Sequence, residues 1–240
     1  MLLGLVACGG APVKKNLVDE SAPRDMVSTL EFIPVVKQDK EGAQLPYAPQ
    51  VNPYLLQKGK INKQSALKFI EAKRAISSRN YAKANSLLDD LTSSDDKLSG
   101  PWLLKGDLAV AESNFDGAVE SYAKAIDVNP KNVNAYLRLA LNQRKQGKFL
   151  VAQNTYAEVL KVWKDFPEAH LNLAVLYDLY LNHPIRAQKH VEAYQFLTGE
   201  ENTEVANWLE EIQTRTGIQT SLRSLVAANG EVIKPGALAN

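Results

Sequence analysis

The sequence has one cysteine, three histidines and no excess of charge, with 28 basic and 27 acidic residues among 240. One cysteine excludes an intramolecular disulfide and any zinc site built from several thiolates. A formal net charge of +1 argues against a nucleic-acid-binding protein, which normally carries a basic domain or stripe. No apolar run reaches the roughly 18 residues that a membrane-spanning helix needs. What remains is a chain whose 45% of hydrophobic residues can build a core.

Catalytic patterns are also missing from the sequence. His170, His183 and His190 are not spaced as metal ligands, and no phosphate-binding glycine loop or Gly-x-Ser-x-Gly motif is present. His170 occupies a repeated position that Trp102 and Tyr136 hold earlier in the chain, so we expect it to be a packing residue. We therefore predict no catalytic residues, no metal, no cofactor and no small-molecule substrate.

The prolines that the sequence does contain are concentrated near its start. Six of them lie before residue 60, at positions 12, 23, 34, 46, 49 and 53. Proline removes backbone donors and prevents long helices, so residues 9–62 are predicted to form an extended, proline-rich linker. Within it, residues 28–33 (STLEFI) alternate in polarity and predict a short strand or a docking segment that ends at Pro34.

The rest of the chain has helical spacing of apolar residues. We expect a helical domain at 63–200 and a capping helix at 201–217, which Gly217 ends. One face of that helix carries Val205, Trp208, Leu209 and Ile212. Residues 218–240 are mostly small and polar and predict a flexible tail.

The helical domain repeats itself with a period of 34 residues. Three series show it: Ala84, Ala118 and Ala152; Tyr81, Phe115 and Phe149; and Ala72, Gly106, Ala140 and Ala174. Small residues at fixed positions are required where two helices cross closely, while large residues fill the space between layers. A fixed period of this length predicts stacked helical hairpins.

One copy, WLLKGDLAVAESNFDGAVESYAKAIDVNP at 102–130, resembles the tetratricopeptide repeat (TPR), although Lys105 and Ala109 depart from its motif. The resemblance covers roughly residues 65–197, and the last copy carries one inserted residue in its LNHP turn. It implies an all-α fold, a right-handed superhelical solenoid of about four hairpins with a C-terminal capping helix. In TPR proteins such a fold binds peptide segments or protein partners.

The first helix of each hairpin should line a concave groove. The helical period then selects the residues that face it. They are Phe69, Lys73, Leu103, Asp107, Asn134, Leu137, Arg138, Leu141, Arg144, Leu171, Asn172, Val175 and Asp178. Apolar area supplies affinity for a peptide and single polar groups fix its register. Arg138 and Asn172 hold the same position in adjacent copies, so we expect them to lie near each other.

Two alternatives remain open for this groove. Leu137, Leu141, Leu171 and Val175 could simply pack beneath the cap or the N-terminal segment. Some TPR proteins hold a partner's C-terminal carboxylate with a fixed lysine, asparagine and arginine pattern. Lys73, Arg138 and Asn172 do not follow its order, so we infer no such clamp.

The chain starts MLLGLVACGG, and residues 5–8 (LVAC) resemble the lipobox of bacterial lipoproteins. The resemblance implies that the chain is cleaved before Cys8 and that Cys8 then carries more than one acyl chain, palmitate included. More than one acyl chain is enough to anchor a protein stably to a membrane. Glycine rather than aspartate after the cysteine, here Gly9, resembles the pattern of lipoproteins that are sorted to the outer membrane. Such a protein would face the periplasm. Residues 1–8 would be a signal-peptide remnant, and the short apolar run without Lys or Arg predicts a translation start further upstream.

We therefore expect a membrane-anchored TPR adaptor for a protein or peptide partner in an envelope assembly, such as a pilus, secretion, transport or cell-wall machine. Small TPR lipoproteins act as adaptors of this kind in pili, with peptidoglycan hydrolases and in β-barrel assembly. The segment HLNLAVLYDLYLNHP also resembles TPR proteins of TonB-type energy-coupling systems. The alternative is a cytoplasmic scaffold or co-chaperone with an unprocessed start and no lipid anchor. A third hypothesis is an enzyme accessory subunit that contributes one catalytic residue.

Overall fold

The computed structural model describes residues 25–37, 39–41, 45–57, 59, 61–199 and 202–222. These residues form nine α-helices, one turn of 3-10 helix at Leu30–Phe32 and no β-strand, which confirms the predicted all-α class. The helices are α1 (Lys63–Ser77), α2 (Tyr81–Ser94), α3 (Ser99–Ala111), α4 (Phe115–Val128), α5 (Val133–Lys145), α6 (Phe149–Val162), α7 (Pro167–Leu179), α8 (Pro184–Thr198) and α9 (Thr203–Thr216).

The helix starts follow from local sequence. Four helices begin after an asparagine whose side chain accepts a backbone N–H of the first turn: Asn62 (2.7 Å), Asn80 (3.2 Å), Asn114 (3.0 Å) and Asn202 (3.1 Å). Such caps satisfy donors that have no partner inside the helix. Pro167 and Pro184 start α7 and α8, where a missing N–H has no cost.

The turns within the hairpins share one backbone feature. Arg79, Ser113, Gly147 and Asn182 all have positive φ, between 54° and 74°. The first three lie one period apart, and Asn182 comes one residue later because of the insertion in the LNHP turn. Each hairpin thus reverses direction through one left-handed residue, although only one of the four is glycine.

The small residues of the period lie where the prediction placed them. Ala72, Ala84 and Ala118 are fully buried within the hairpins. Gly106 is buried against the ring of Tyr122, and a Cβ added there would overlap that ring. The close crossing of α3 and α4 therefore requires glycine at this position.

The core is unequal along the stack. One continuous cluster runs from α5 to α9 and includes Tyr156, Tyr177 and Ile212. Two smaller clusters lie nearer the N-terminus: one around Leu88 joins α1, α2 and α3, and one around Tyr122 joins α3, α4 and α5. The capping helix α9 joins the large cluster through the four apolar residues predicted for that face. The C-terminal hairpins therefore share more buried apolar surface than the N-terminal ones.

Chain segments on both sides of the stack lie against it. The 3-10 turn stands where the alternation allowed a strand, since the segment pairs with side chains of the stack rather than with another strand. After α9, Ser221 and Leu222 donate backbone N–H groups to the carboxylate of Glu192, at 2.7 Å each. Residues 218–222 of the predicted tail therefore pack on α8, and residues 223–240 lie outside the described part.

Candidate functional site

The first helices of the hairpins lie side by side, with α3 against α1, α5 against α3 and α7 against α5. We call the surface that they form the inner groove. Taken as whole residues, none of those predicted to line it is buried, although the Asp178 side chain is almost fully covered. Lys73, Asn134 and Arg138 are exposed, and the others are half-buried. The structure thus leaves these positions accessible to different degrees, and their contacts differ from one end to the other.

The N-terminal end of the inner groove is open and basic. Ile70, Lys73, Arg74, Ser77 and Ser78 of α1 and its end line a cavity of about 560 Å³. Ile70 leaves 46% of its surface exposed, which is unusual for so large an apolar side chain beside two cations. This end combines apolar area with positive charge.

Phe69 has a different role from its neighbours on α1. A Cβ built on Gly100 would lie 3.5 Å from the Phe69 ring, in ordinary van der Waals contact. The ring packs with the first apolar cluster and joins α1 to α3. It is a packing residue at the edge of the groove.

The middle of the inner groove holds a charged pair between adjacent helices. Asp107 accepts a hydrogen bond of 2.8 Å from the Tyr122 hydroxyl and lies 3.6 Å from Nε of Arg138. Burial, followed by the nearby Asp107 carboxylate, raises the pKa of Tyr122, so this hydroxyl stays a donor. Arg138 keeps 53% of its side chain exposed, which leaves most of its guanidinium donors free to bind another group.

The C-terminal end of the inner groove is used within the chain. The Asp178 side chain is only 3% exposed, because it accepts Nε1 of Trp208 at 2.8 Å and Nη2 of Arg215 at 2.7 Å. Asn172 donates to the Glu168 carbonyl of its own helix at 2.8 Å. No hydrogen bond joins Asn172 to Arg138 among the described residues, and Arg138 faces Asp107 instead.

The apolar residues of the inner groove also differ in whether they contact the core. Leu137 and Leu171 pack against the large cluster, and Leu103 against the cluster around Tyr122. Leu141, Arg144 and Val175 are half-buried in the same row. The packing contacts of Leu137 and Leu171 support the alternative that these two residues serve the core.

A second binding arrangement lies on the outer side of the stack. Residues 28–33 were predicted to be a short strand or a docking segment, and the structure shows docking, at a place that the sequence did not indicate. Residues 25–34, which we call the strap, lie across α6, α7 and α8. The side-chain amide of Gln153 binds Val27 twice: Oε1 accepts its N–H at 3.1 Å and Nε2 donates to its carbonyl at 2.8 Å. Asn154 also accepts the Val27 N–H, at 3.0 Å. Two helix side chains thus bind the strap backbone as a neighbouring strand would.

A buried polar chain lies under the strap. Nε2 of His170 faces the Lys164 carbonyl at 2.8 Å, so it must donate, and its Nδ1 must accept from Nδ1 of His190 at 2.9 Å. Nε2 of His190 then accepts from the Thr29 hydroxyl at 2.8 Å. Thr29 in turn accepts from the Tyr177 hydroxyl at 3.0 Å. Every group in this chain is satisfied only while both imidazoles are neutral.

The pKa values of both histidines are consistent with that arrangement. Burial lowers the pKa of His170 to about 4, only partly offset by the Lys164 carbonyl and Asp165. Burial lowers the pKa of His190 well below its usual range, with further lowering from His170, Arg186 and Lys189. Both side chains are fully buried, which confirms His170 as a packing residue.

The chain after the strap is held by a buried carboxylate. Asp165 accepts the Tyr47 hydroxyl at 2.6 Å and the Gln50 N–H at 2.7 Å, and Nε1 of Trp163 donates to the Gln50 carbonyl at 2.7 Å. Burial and Asp165 raise the pKa of Tyr47. Tyr47 and Gln50 of the proline-rich region are therefore docked on the stack.

One signal in the sequence could have indicated this docking. Gln153 and His190 are polar residues at positions of second helices that become fully buried. A buried polar side chain needs a partner, and no neighbouring helix supplies one for all of their groups. The partner is distant in sequence, so periodicity alone could not identify it.

Some predictions fall outside these observations. Cys8 and the linker residues before residue 25 lie outside the described part of the chain. Within the described part, no group of three His, Cys, Asp or Glu side chains is placed to hold a metal ion. None of the described helices combines the length and the apolar character needed to cross a membrane.

Comparison with known proteins finds family models that match the central repeats. A family model described as TPR repeat matches residues 106–147, and one described as tetratricopeptide repeat matches residues 137–179. A TPR repeat-containing protein of Methanocaldococcus jannaschii is 33% identical over 82 residues, which are 34% of this chain and 14% of that relative. The match therefore spans only a small part of the relative's length.

Solved structures resemble the stack at low sequence identity. A thermophilic TPR protein from Thermus thermophilus superposes with a TM-score of 0.53 at 15% identity, over 63% of this chain and 82% of its own. MamA from Desulfovibrio magneticus superposes with a TM-score of 0.54 at 15% identity, over 66% and 89%. Residues 106–179 thus match the tetratricopeptide repeat family, and the described helical stack has the TPR superhelix as its fold.

Proposed function

We propose that this protein is a non-enzymatic interaction scaffold whose inner groove binds an extended, acidic segment of a protein partner. The observation that carries the proposal is the uneven use of charge along the groove. The carboxylates of Asp107 and Asp178 are engaged within the chain, whereas Lys73 and Arg138 are exposed. Apart from the exposed carboxylate of Glu168 at the start of α7, a partner would therefore meet mainly positive charge, beside the apolar surface of Ile70 and Leu141.

The open end at α1 is where such a segment finds both components. Its cavity of about 560 Å³ presents Lys73 and Arg74 next to Ile70. Cations that recognise carboxylates act mainly on association rate and specificity, while buried apolar area supplies affinity. The partner segment is thus expected to alternate acidic and apolar residues.

Charge reversal in the groove tests this function. Lys73→Glu with Arg138→Glu should abolish capture of the partner from cell extracts, and capture by the wild-type chain should weaken as salt rises. Lys124→Glu with Lys131→Glu is the matched control, because both residues are exposed and lie outside the inner groove. Equal recovery of the same partner by both double variants would exclude the inner groove as its site.

We further propose that the scaffold is anchored through acylated Cys8 at the periplasmic face of the outer membrane and works in an envelope assembly. The support is the LVAC pattern at residues 5–8, which ends in the one cysteine of the sequence. Docking of residues 25–57 would then keep the stack close to the anchor.

Metabolic labelling tests the anchor. Cells that express the full gene and receive an alkyne fatty acid should label the wild-type protein and not the Cys8→Ser variant. The protein should also fractionate with the outer membrane. An unlabelled wild-type protein in the soluble fraction would instead favour the cytoplasmic scaffold without a lipid anchor.

A further inference from the structure

The outer side of the stack has three equivalent grooves, each between two successive second helices with a first helix as its floor. We name them by their walls: α2–α4, α4–α6 and α6–α8. The strap occupies the α6–α8 groove, where Gln153 binds the backbone of Val27 and Thr29 reaches Tyr177 and His190. The 34-residue period allows the same positions to be compared in the other two grooves.

The α4–α6 groove is closed by its own side chains. At the positions of Tyr177 and His190 it carries Gln143 and Thr155, and these two hydrogen-bond to each other at 2.7 Å. Val119 stands at the position of Gln153, so no amide is available to bind a peptide backbone. The Gln143–Thr155 pair therefore fills the place that the strap hydroxyl occupies in the α6–α8 groove.

The α2–α4 groove is open, and it keeps the backbone-binding amide. Asn85 stands at the position of Gln153. Three large side chains of the α6–α8 groove are replaced by small ones: Ala109 for Tyr177, Ser121 for His190 and Gly117 for Arg186. The space so vacated is a cavity of about 330 Å³ lined by α2, α3 and α4.

Several polar groups of this cavity lack partners within the described chain, although Asn114 and Ser121 are hydrogen-bonded within α4 and its cap. Nε1 of Trp102 is buried and donates to no described group. Neither the Asn85 amide nor the carboxylates of Glu112 and Glu120 form a hydrogen bond or ion pair with a described side chain, and all three line the cavity. Lys105, the cation of the cavity, is already paired with Asp89 at 2.6 Å.

We propose that the α2–α4 groove is a second peptide-binding site, separate from the inner groove, for an extended partner segment with a basic side chain. The segment lies as the strap does, with its backbone on the amide of Asn85. At the position that Thr29 holds in the strap, the vacated space and the two free carboxylates select arginine or lysine. Size and charge both argue against a threonine or an acidic residue there.

A strap-derived peptide tests this site on the full-length protein. The probe is the labelled, acetylated and amidated peptide of residues 25–34 with Thr29→Arg, and its matched control carries Thr29→Glu. By fluorescence anisotropy at low salt, the arginine peptide should bind at least about tenfold more tightly. The α6–α8 groove does not compete for it, because the chain's own strap already occupies that groove.

Variants of the groove complete the experiment. Glu112→Gln with Glu120→Gln should bring the two peptides to within about twofold of each other, and Asn85→Ala should weaken the arginine peptide about fivefold. Glu204→Gln with Glu210→Gln, both exposed on α9, is the control and should change nothing. The proposal is overturned if the arginine peptide binds no more tightly than the glutamate peptide, or if its affinity is unchanged in both groove variants.

Discussion

The two ends of the stack are built from the same repeat but differ in how far they are closed. From α5 to α9 one apolar cluster is continuous, the outer groove is occupied by the strap, and Asp178 is covered by α9. From α1 to α4 the clusters are smaller, Leu67 and Ile70 are exposed, and the outer groove is open. The difference shows that the repeat specifies helices and crossings, while a few side chains outside its motif decide which surfaces are left for partners.

Removing one strap hydroxyl should have the largest effect on this comparison. Thr29→Val keeps the shape but leaves Nε2 of His190 without a donor and the O–H of Tyr177 without an acceptor, although the Tyr177 oxygen still accepts from Nε2 of Gln153. Two unsatisfied buried groups cost about 2–5 kcal/mol, which should appear as a lower free energy of unfolding of the C-terminal hairpins. Ser28→Ala, at an exposed neighbour, is the control and should be neutral. A Thr29→Val protein as stable as the control would show that the strap does not complete this half.

Acid should act on the same half. All three histidines of the chain follow residue 169, so the N-terminal hairpins contain none. Because the folded pKa of His170 is lowered to about 4, the unfolded chain binds more protons below pH 6.5. Stability is therefore full above about pH 6.5 and is lost as the pH falls towards 4, by roughly 3 kcal/mol from this residue. Hydrogen exchange at several pH values should show the loss in α7 and α8 first, and equal loss in α1 and α2 would contradict this.

A pair of glycines in α3 provides a test of the N-terminal half. Gly106→Ala should destabilise it by about 1–3 kcal/mol, because the new methyl group overlaps the Tyr122 ring. Gly100→Ala meets only the Phe69 ring at 3.5 Å and should be neutral or slightly stabilising, since alanine favours the helix. Thermal unfolding of the two variants should therefore differ in sign or size. Equal melting temperatures would mean that α3 and α4 are not packed this closely.

The smallest expected effect comes from the hairpin turns. Arg79→Gly and Ser113→Gly should each stabilise the N-terminal hairpins by about 0.5–1 kcal/mol, because glycine adopts positive φ without a Cβ clash. Gly147→Ala should destabilise by a similar amount at the matching turn. Chemical denaturation can resolve these differences. If the glycine variants were less stable than the wild type, a side-chain contact of Arg79 or Ser113 would have to outweigh the backbone strain.

Sequence patterns predicted what is local and repeated. The small residues at Ala84 and Gly106, the crossings they permit and the apolar face of α9 all follow from helical period and side-chain size. The patterns allowed residues 28–33 to be a docking segment but did not predict where the strap docks, because its contacts join Val27 to Gln153 across more than a hundred residues. For the inner groove they predicted positions but not partners: Asp178 is covered by Trp208 and Arg215, which lie beyond the repeats.

The claim that the strap belongs to the C-terminal half can be measured at one amide. The N–H of Val27 is bound by both Gln153 and Asn154, so it should exchange with solvent as slowly as the core amides of α8. It should lose that protection together with them in Thr29→Val. Exchange of the Val27 amide at the rate of an unstructured peptide, while α8 stays protected, would contradict the account.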